Sequence, residues 1–102
     1  MVVLNDINDI RNEISNGNVC LKFSADWCGP CSVLSSVIEK IEDNYNNVKF
    51  IEIDIDDVDD SIIEEYQIRN IPVLYFIKDG TILNKIVGSV KQEVLVDELN
   101  KY

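Results

Sequence analysis

The sequence predicts an α/β protein with a central mixed β-sheet of about five strands flanked by four helices. Short β-rich runs alternate with amphipathic segments over the first two thirds of the chain, and no repeat, low-complexity tract or linker interrupts them. Two further β-rich runs are joined by the turn signal Lys78-Asp79-Gly80-Thr81. Strands separated by helices imply parallel pairing and a hairpin adds antiparallel pairing, so a mixed sheet covered on both faces follows. A chain of 102 residues holds one such domain, spanning 1–102, with a small but adequate core.

Val2–Leu4 reads as a short strand and Asp6–Ser15 as a helix, with Asp6 as N-cap and Ile7, Ile10 and Ile14 at helical spacing. Asn16-Gly17-Asn18 is a turn, and Val19–Phe23 is an apolar strand broken only by Lys22. The longest periodic segment follows, with Cys31, Leu34, Val37, Ile38, Ile41 and Tyr45 holding one helical face for four turns. Lys49–Ile55 alternates strictly, placing Ile51, Ile53 and Ile55 on one side and Phe50, Glu52 and Asp54 on the other. A helix over roughly Val58–Tyr66 comes next. Pro72–Ile77 and Ile82–Val87 form the hairpin, and about Lys91–Lys101 is the last helix.

Composition is ordinary for a small globular domain, at 46% hydrophobic and 27% charged residues. A net charge of −10 with only 9 basic residues argues against nucleic acid and anionic membrane surfaces, because phosphate recognition needs clustered Lys and Arg. Protein partners fit better. The acidic segment from Glu52 to Glu65 invites a calcium-loop reading, but a loop opening at Asp54 puts Asp59 where the sharp turn needs Gly and Val58 at the fifth position. A solvated loop with acids favouring a helix N-terminus accounts for it. The N-terminus has no basic region followed by an apolar run, so a cytoplasmic location is expected. Three cysteines suit a reducing compartment, since a disulfide framework would leave one over.

The chemistry lies in Trp27-Cys28-Gly29-Pro30-Cys31. Side chains at i and i+3 share one helical face, within the short reach that a disulfide demands. Pro30 pre-sets a helical φ in the first turn, and Cys28 stands at the turn's start, where unpaired backbone N–H groups and the helix dipole favour a thiolate. Cys28 is therefore the expected nucleophile, exposed and of low pKa. Cys31, one turn inside, is the expected resolving thiol. Structural zinc would need four ligands, and the chain has no His and one further Cys, so no metal site is expected. Cys20 shares strand parity with Lys22 and reads as a small core hydrophobe.

With this pentapeptide after a strand, Ile71-Pro72 before the hairpin, and Phe23, Ala25, Asp26, Ile68–Pro72, Lys78-Asp79-Gly80 and Val87-Gly88 in this order, the chain resembles the thioredoxin family over essentially its whole length. The resemblance implies the thioredoxin fold and a protein disulfide reductase, in which Cys28 attacks a client disulfide and Cys31 resolves it. It implies a cis Pro72 beside them, a client-contact surface of Trp27, Gly29, Pro30, Ile71, Pro72 and Gly88, and a monomer. No cofactor is implied and no G-x-G-x-x-G motif occurs, so electrons are expected from a thioredoxin reductase, flavin- or ferredoxin-linked, and pass to disulfide-containing client proteins.

The chain departs from the family pattern at several positions. Lys22 stands where the family usually has a buried Asp, and Glu52 where a Lys often lies opposite, so alignment and strand parity make the two neighbours of reversed charge. Lys22 either snorkels to the surface or pairs with Glu52 beneath the cysteine helix; if paired, Glu52 is the expected acceptor of the Cys31 proton. Ser32 replaces a basic residue, Ser36 a helix-kinking Pro, and Val73 a Thr. Two other classes of function compete with the reductase: a binding module whose redox chemistry is incidental, and a disulfide isomerase or oxidase.

Overall fold

The computed structural model describes all residues, 1–102. Its elements run β1 (Val2–Val3), α1 (Ile7–Ile14), β2 (Asn18–Ser24), α2 (Gly29–Ile41), β3 (Val48–Asp54), α3 (Asp60–Glu65), β4 (Val73–Lys78), β5 (Thr81–Val87) and α4 (Gln92–Leu99). The strands lie in the order β1-β3-β2-β4-β5. β1, β3 and β2 are parallel, while β4 and β5 add on antiparallel. The mixed sheet predicted from the element order is therefore present, with five strands and four helices.

Strand parity divides the core in two. Val19, Leu21 and Phe23 of β2 face one side with Ile51, Ile53, Val73, Tyr75 and Ile77, packing on Ile10 of α1 and Ile62 of α3. Cys20 faces the other side with Phe50, Leu74 and Phe76, packing on Leu34, Ile38 and Ile41 of α2 and Leu95 and Leu99 of α4. Burying such side chains contributes roughly 1.5–3 kcal/mol each. On the first face Phe23, Tyr66 and Tyr75 cluster with ring centroids 5.1–6.1 Å apart, and the Tyr75 hydroxyl donates to the Tyr66 carbonyl at 2.5 Å.

The ends of several elements differ from the sequence expectation, for local reasons. Asp6 caps α1 as expected, accepting from the Asn8 and Asp9 amides at 2.9 and 3.1 Å. α3 is shorter than Val58–Tyr66 because Asp59 takes the cap position, accepting from the Ser61 amide at 2.8 Å, and Gln67 adopts a positive φ of 53° just past the end. Val58 lies before the cap and plugs the core. The helical run read as far as Tyr45 ends at Ile41, and a 3-10 turn over Glu42–Asn44 carries Tyr45 on to the same apolar cluster. The hairpin turn has φ of 48° at Asp79 and 83° at Gly80, the paired positive values of a type I′ turn.

Candidate dithiol site

α2 begins where β2 ends, and this junction places the cysteines at the edge of the sheet. Cys28 is the N-cap residue: its backbone is extended, and its Sγ accepts from the Cys31 amide at 3.2 Å. Pro30 occupies the first turn, where its missing N–H costs nothing. Cys28 and Cys31 are joined by a disulfide with a Cα–Cα distance of 5.3 Å. The cap geometry aims an otherwise unpaired amide at sulfur, and this arrangement favours negative charge there in the reduced form.

Cys31 is buried, as its place one turn inside the helix implies, but Cys28 is more enclosed than the sequence suggested. Cys28 is 7% exposed and Cys31 2%, because Ala25, Ile55 and Ile71 pack around them. Cys28 is the outer of the two, though not an exposed thiol. Its Sγ lies 4.0 Å from the Ile71 carbonyl oxygen. The Ile71–Pro72 peptide bond is cis, and the Gly88 amide donates to the Pro72 carbonyl at 2.7 Å, tying the end of β5 to this loop. Gly88 has a φ of 94°, which a side chain would resist. Gly29 and Pro30 thus lie between the two cysteines, Ile71 packs against them, and Gly88 is bonded to Pro72 next to Ile71. Trp27 is 70% exposed; its indole N–H donates to Asp56 Oδ2 at 2.8 Å, fixing the ring at the rim.

Lys22 does not snorkel. It is 1% exposed, and its Nζ donates to Glu52 Oε1 at 2.8 Å and to Ser35 Oγ. The register explains the meeting, since Lys22 and Glu52 are direct neighbours across the parallel β2–β3 pair. Ser24 also donates to Glu52 Oε1, at 2.9 Å. Burial works to raise the Glu52 carboxyl, but hydrogen bonds from Lys22 and Ser24 and the charge of Lys22 outweigh it, holding the group below its ordinary value. A cavity of about 400 Å³ connects this network to the sulfurs, lined by Lys22, Ser24, Cys28, Cys31, Ser35 and Glu52 together with Asp26, Asp54 and Asp57.

Three polar residues of this region escaped the sequence reading. Ser24 is two residues beyond Lys22 on one strand face, and Ser35 is four beyond Cys31 on one helix face, so both carried a periodicity signal. Asp56 carried none. Cys20 lies in the core as expected, and burial pushes its thiol up to about 12. No three His, Cys, Asp or Glu side chains are grouped to hold a metal ion.

A disulfide closed across one helical turn, capped by its own helix and set against a sheet edge, is the working part of a thiol–disulfide oxidoreductase. Comparison with known proteins makes the class specific. The thioredoxin family model matches residues 2–101. A thioredoxin of Pyropia yezoensis is 38% identical over 95 residues, covering 90% of this chain and 88% of that protein. One from Chlamydia caviae is 31% identical over 102 residues, covering 100% and 99%. The solved thioredoxin of Plasmodium falciparum superposes with a TM-score of 0.90 at 26% identity, covering 100% of this chain and 99% of that one. The chain belongs to the thioredoxin family, whose members are protein disulfide oxidoreductases.

No helix is long and apolar enough to cross a membrane.

Proposed function

We propose that the chain is a general disulfide reductase that carries two electrons at a time from a thioredoxin reductase to client proteins, using Cys28 as nucleophile and Cys31 as resolving thiol. The observation that carries this is the Cys31 amide donating to Cys28 Sγ at the start of α2, which favours a thiolate at Cys28 in preference to Cys31. In the reduced form the Cys28 thiolate attacks one sulfur of the client disulfide. The client's S–S bond breaks, a mixed disulfide forms, and the expelled client thiolate takes a proton. Cys31 then gives up its proton and attacks Cys28 Sγ, releasing the second client sulfur as thiolate to be protonated in turn. The client has gained two electrons and two protons, and the protein is left with the Cys28–Cys31 bond.

Glu52 receives the Cys31 proton in this scheme and relays it to water. Its place in the same cavity supports the first step, and its depressed pKa and partial exposure support the second, because such a carboxylate does not retain a proton near neutrality. Trp27, Gly29, Pro30, Ile71, Pro72 and Gly88 form the client-contact surface, with the backbone beside Pro72 offered to an extended client segment. The protein acts as a monomer, in the cytoplasm, where a buried free Cys20 stays reduced. Insulin-disulfide reduction with dithiothreitol as donor tests the reading. The parent protein accelerates it and the Cys28→Ser variant does not; acceleration that survives Cys28→Ser removes the dithiol from the mechanism.

A further inference from the structure

Lys22 is the one charged side chain taken fully into the interior, and it lies directly under the reactive helix. A buried ammonium is far costlier than a buried methylene chain unless it is paired and hydrogen-bonded. Its two partners here are unequal. Ser35, on α2, lies one turn beyond Cys31, and Glu52, on β3, is also held by Ser24 and opens toward solvent. The ammonium is thus hydrogen-bonded to the cysteine helix, and the carboxylate balances it from the adjoining strand.

We propose that Lys22 is a charge-tuning positioning residue: a fixed cation beneath α2 that favours the Cys31 thiolate, with Glu52 as the counter-charge that limits its effect. This rests on the dithiol reading above and gives the buried pair a direction. The resolving thiol must ionise inside an apolar enclosure, where desolvation alone opposes the charged form. A nearby cation offsets that penalty. Residues four apart on a helix have Cβ atoms roughly 5–6 Å apart, so an ammonium bonded to the Ser35 hydroxyl acts on Cys31 from a comparable distance. At an effective dielectric of about 20–40, a unit charge at that range shifts a titration by on the order of one pH unit.

Other charges act on Cys31. The Cys28 thiolate, which forms first, is its immediate neighbour in the reduced protein and opposes a second thiolate most strongly. Asp26 in the loop before α2, Asp54 at the end of β3 and Asp57 beyond it line the cavity with Lys22 and Glu52, and their carboxylates act against the thiolate. They are common to parent and variants, so a substitution at Lys22 or Glu52 isolates the pair. The two substitutions then have opposite signs. Lys22→Met removes the cation and leaves Glu52, making thiolate formation harder. Glu52→Gln keeps an oxygen for Lys22 but removes the counter-charge, so the ammonium acts on Cys31 undiminished. Stabilising the Cys31 thiolate also stabilises the reduced form at pH values above the Cys31 midpoint, so there Lys22→Met should make the disulfide harder to reduce.

The test is a pH titration of the reduced, full-length protein, read at the Cys31 Cβ by carbon-13 NMR, with glutathione equilibration as a second readout. Lys22→Met is expected to raise the Cys31 midpoint by on the order of one pH unit and Glu52→Gln to lower it by less. Lys22→Arg should stay near the parent. A Lys22→Met midpoint that is unmoved or lower overturns the proposal, as does movement of both variants in the same direction, which a purely structural role would produce. Where Lys22→Met does not fold, the Glu52→Gln sign decides: a fall supports the proposal, and a rise or no change overturns it. The titration needs no client, so its outcome is separate from that of insulin reduction by the parent.

Discussion

Replacing Glu52 with alanine leaves the Lys22 ammonium inside the protein with Ser35 as its one remaining partner. The size of the effect follows from which ion is stranded. Removing one member of a buried pair costs about 3–5 kcal/mol, whereas an exposed pair is worth about 0–1 kcal/mol. Lys22 is 1% exposed and Glu52 24%, so loss of the carboxylate strands the buried ion and falls near the lower end of the first range, about 3 kcal/mol, because Ser35 remains. Lys22→Met strands the outer ion, which keeps Ser24 and gains water, and costs about 1 kcal/mol. With a urea slope of about 2 kcal/mol/M, Glu52→Ala should lower the unfolding midpoint at pH 7 by about 1.5 M. A drop below about 0.5 M would mean that the lysine is solvated without its partner and that the pair does not hold this part of the core. The pH dependence has a fixed sign. Glu52 has a lowered pKa in the folded protein, so its contribution is present above the unfolded value of about 4.3 and is lost as pH falls through the lower folded value. The gap between the parent and Glu52→Ala should therefore narrow in acid.

Two further outcomes are expected. Cys20 is buried and its thiol is raised to about 12, so iodoacetamide at pH 8 should leave it unlabelled in the folded, reduced protein and label it once urea is added; labelling in the folded state would place it nearer the surface. Trp27→Ala removes an exposed apolar ring held by Asp56 at the rim of the site, so client KM should rise while thermal stability changes by less than about 0.5 kcal/mol; an unchanged KM would remove the ring from client contact.

The strands of this fold were legible because their alternation is strict. Ile51, Ile53 and the even-numbered Phe50 and Glu52 occupy the faces that parity assigns, and parity together with alignment to the family places Lys22 beside Glu52, as the register shows. Whether Lys22 would surface or stay inside was not legible. The answer depends on Ser24 and Ser35, two hydroxyls from different elements that supply polar partners only once α2 lies across the sheet. Helix ends were read less well than helix faces, because Asp59 and Gln67 end α3 through side-chain capping and a left-handed backbone that apolar spacing does not report. The enclosure of Cys28 was missed for a similar reason: Ile71 reaches it from 43 residues away along the chain.

The central claim is an order of events at two sulfurs, Cys28 first and Cys31 second. A Cys31→Ser variant, mixed with a disulfide-bonded client and quenched in acid, should accumulate one covalent complex, and peptide mass spectrometry should place the intermolecular bond at Cys28. A bond at Cys20, or a stable complex formed by Cys28→Ser through Cys31, would contradict the account.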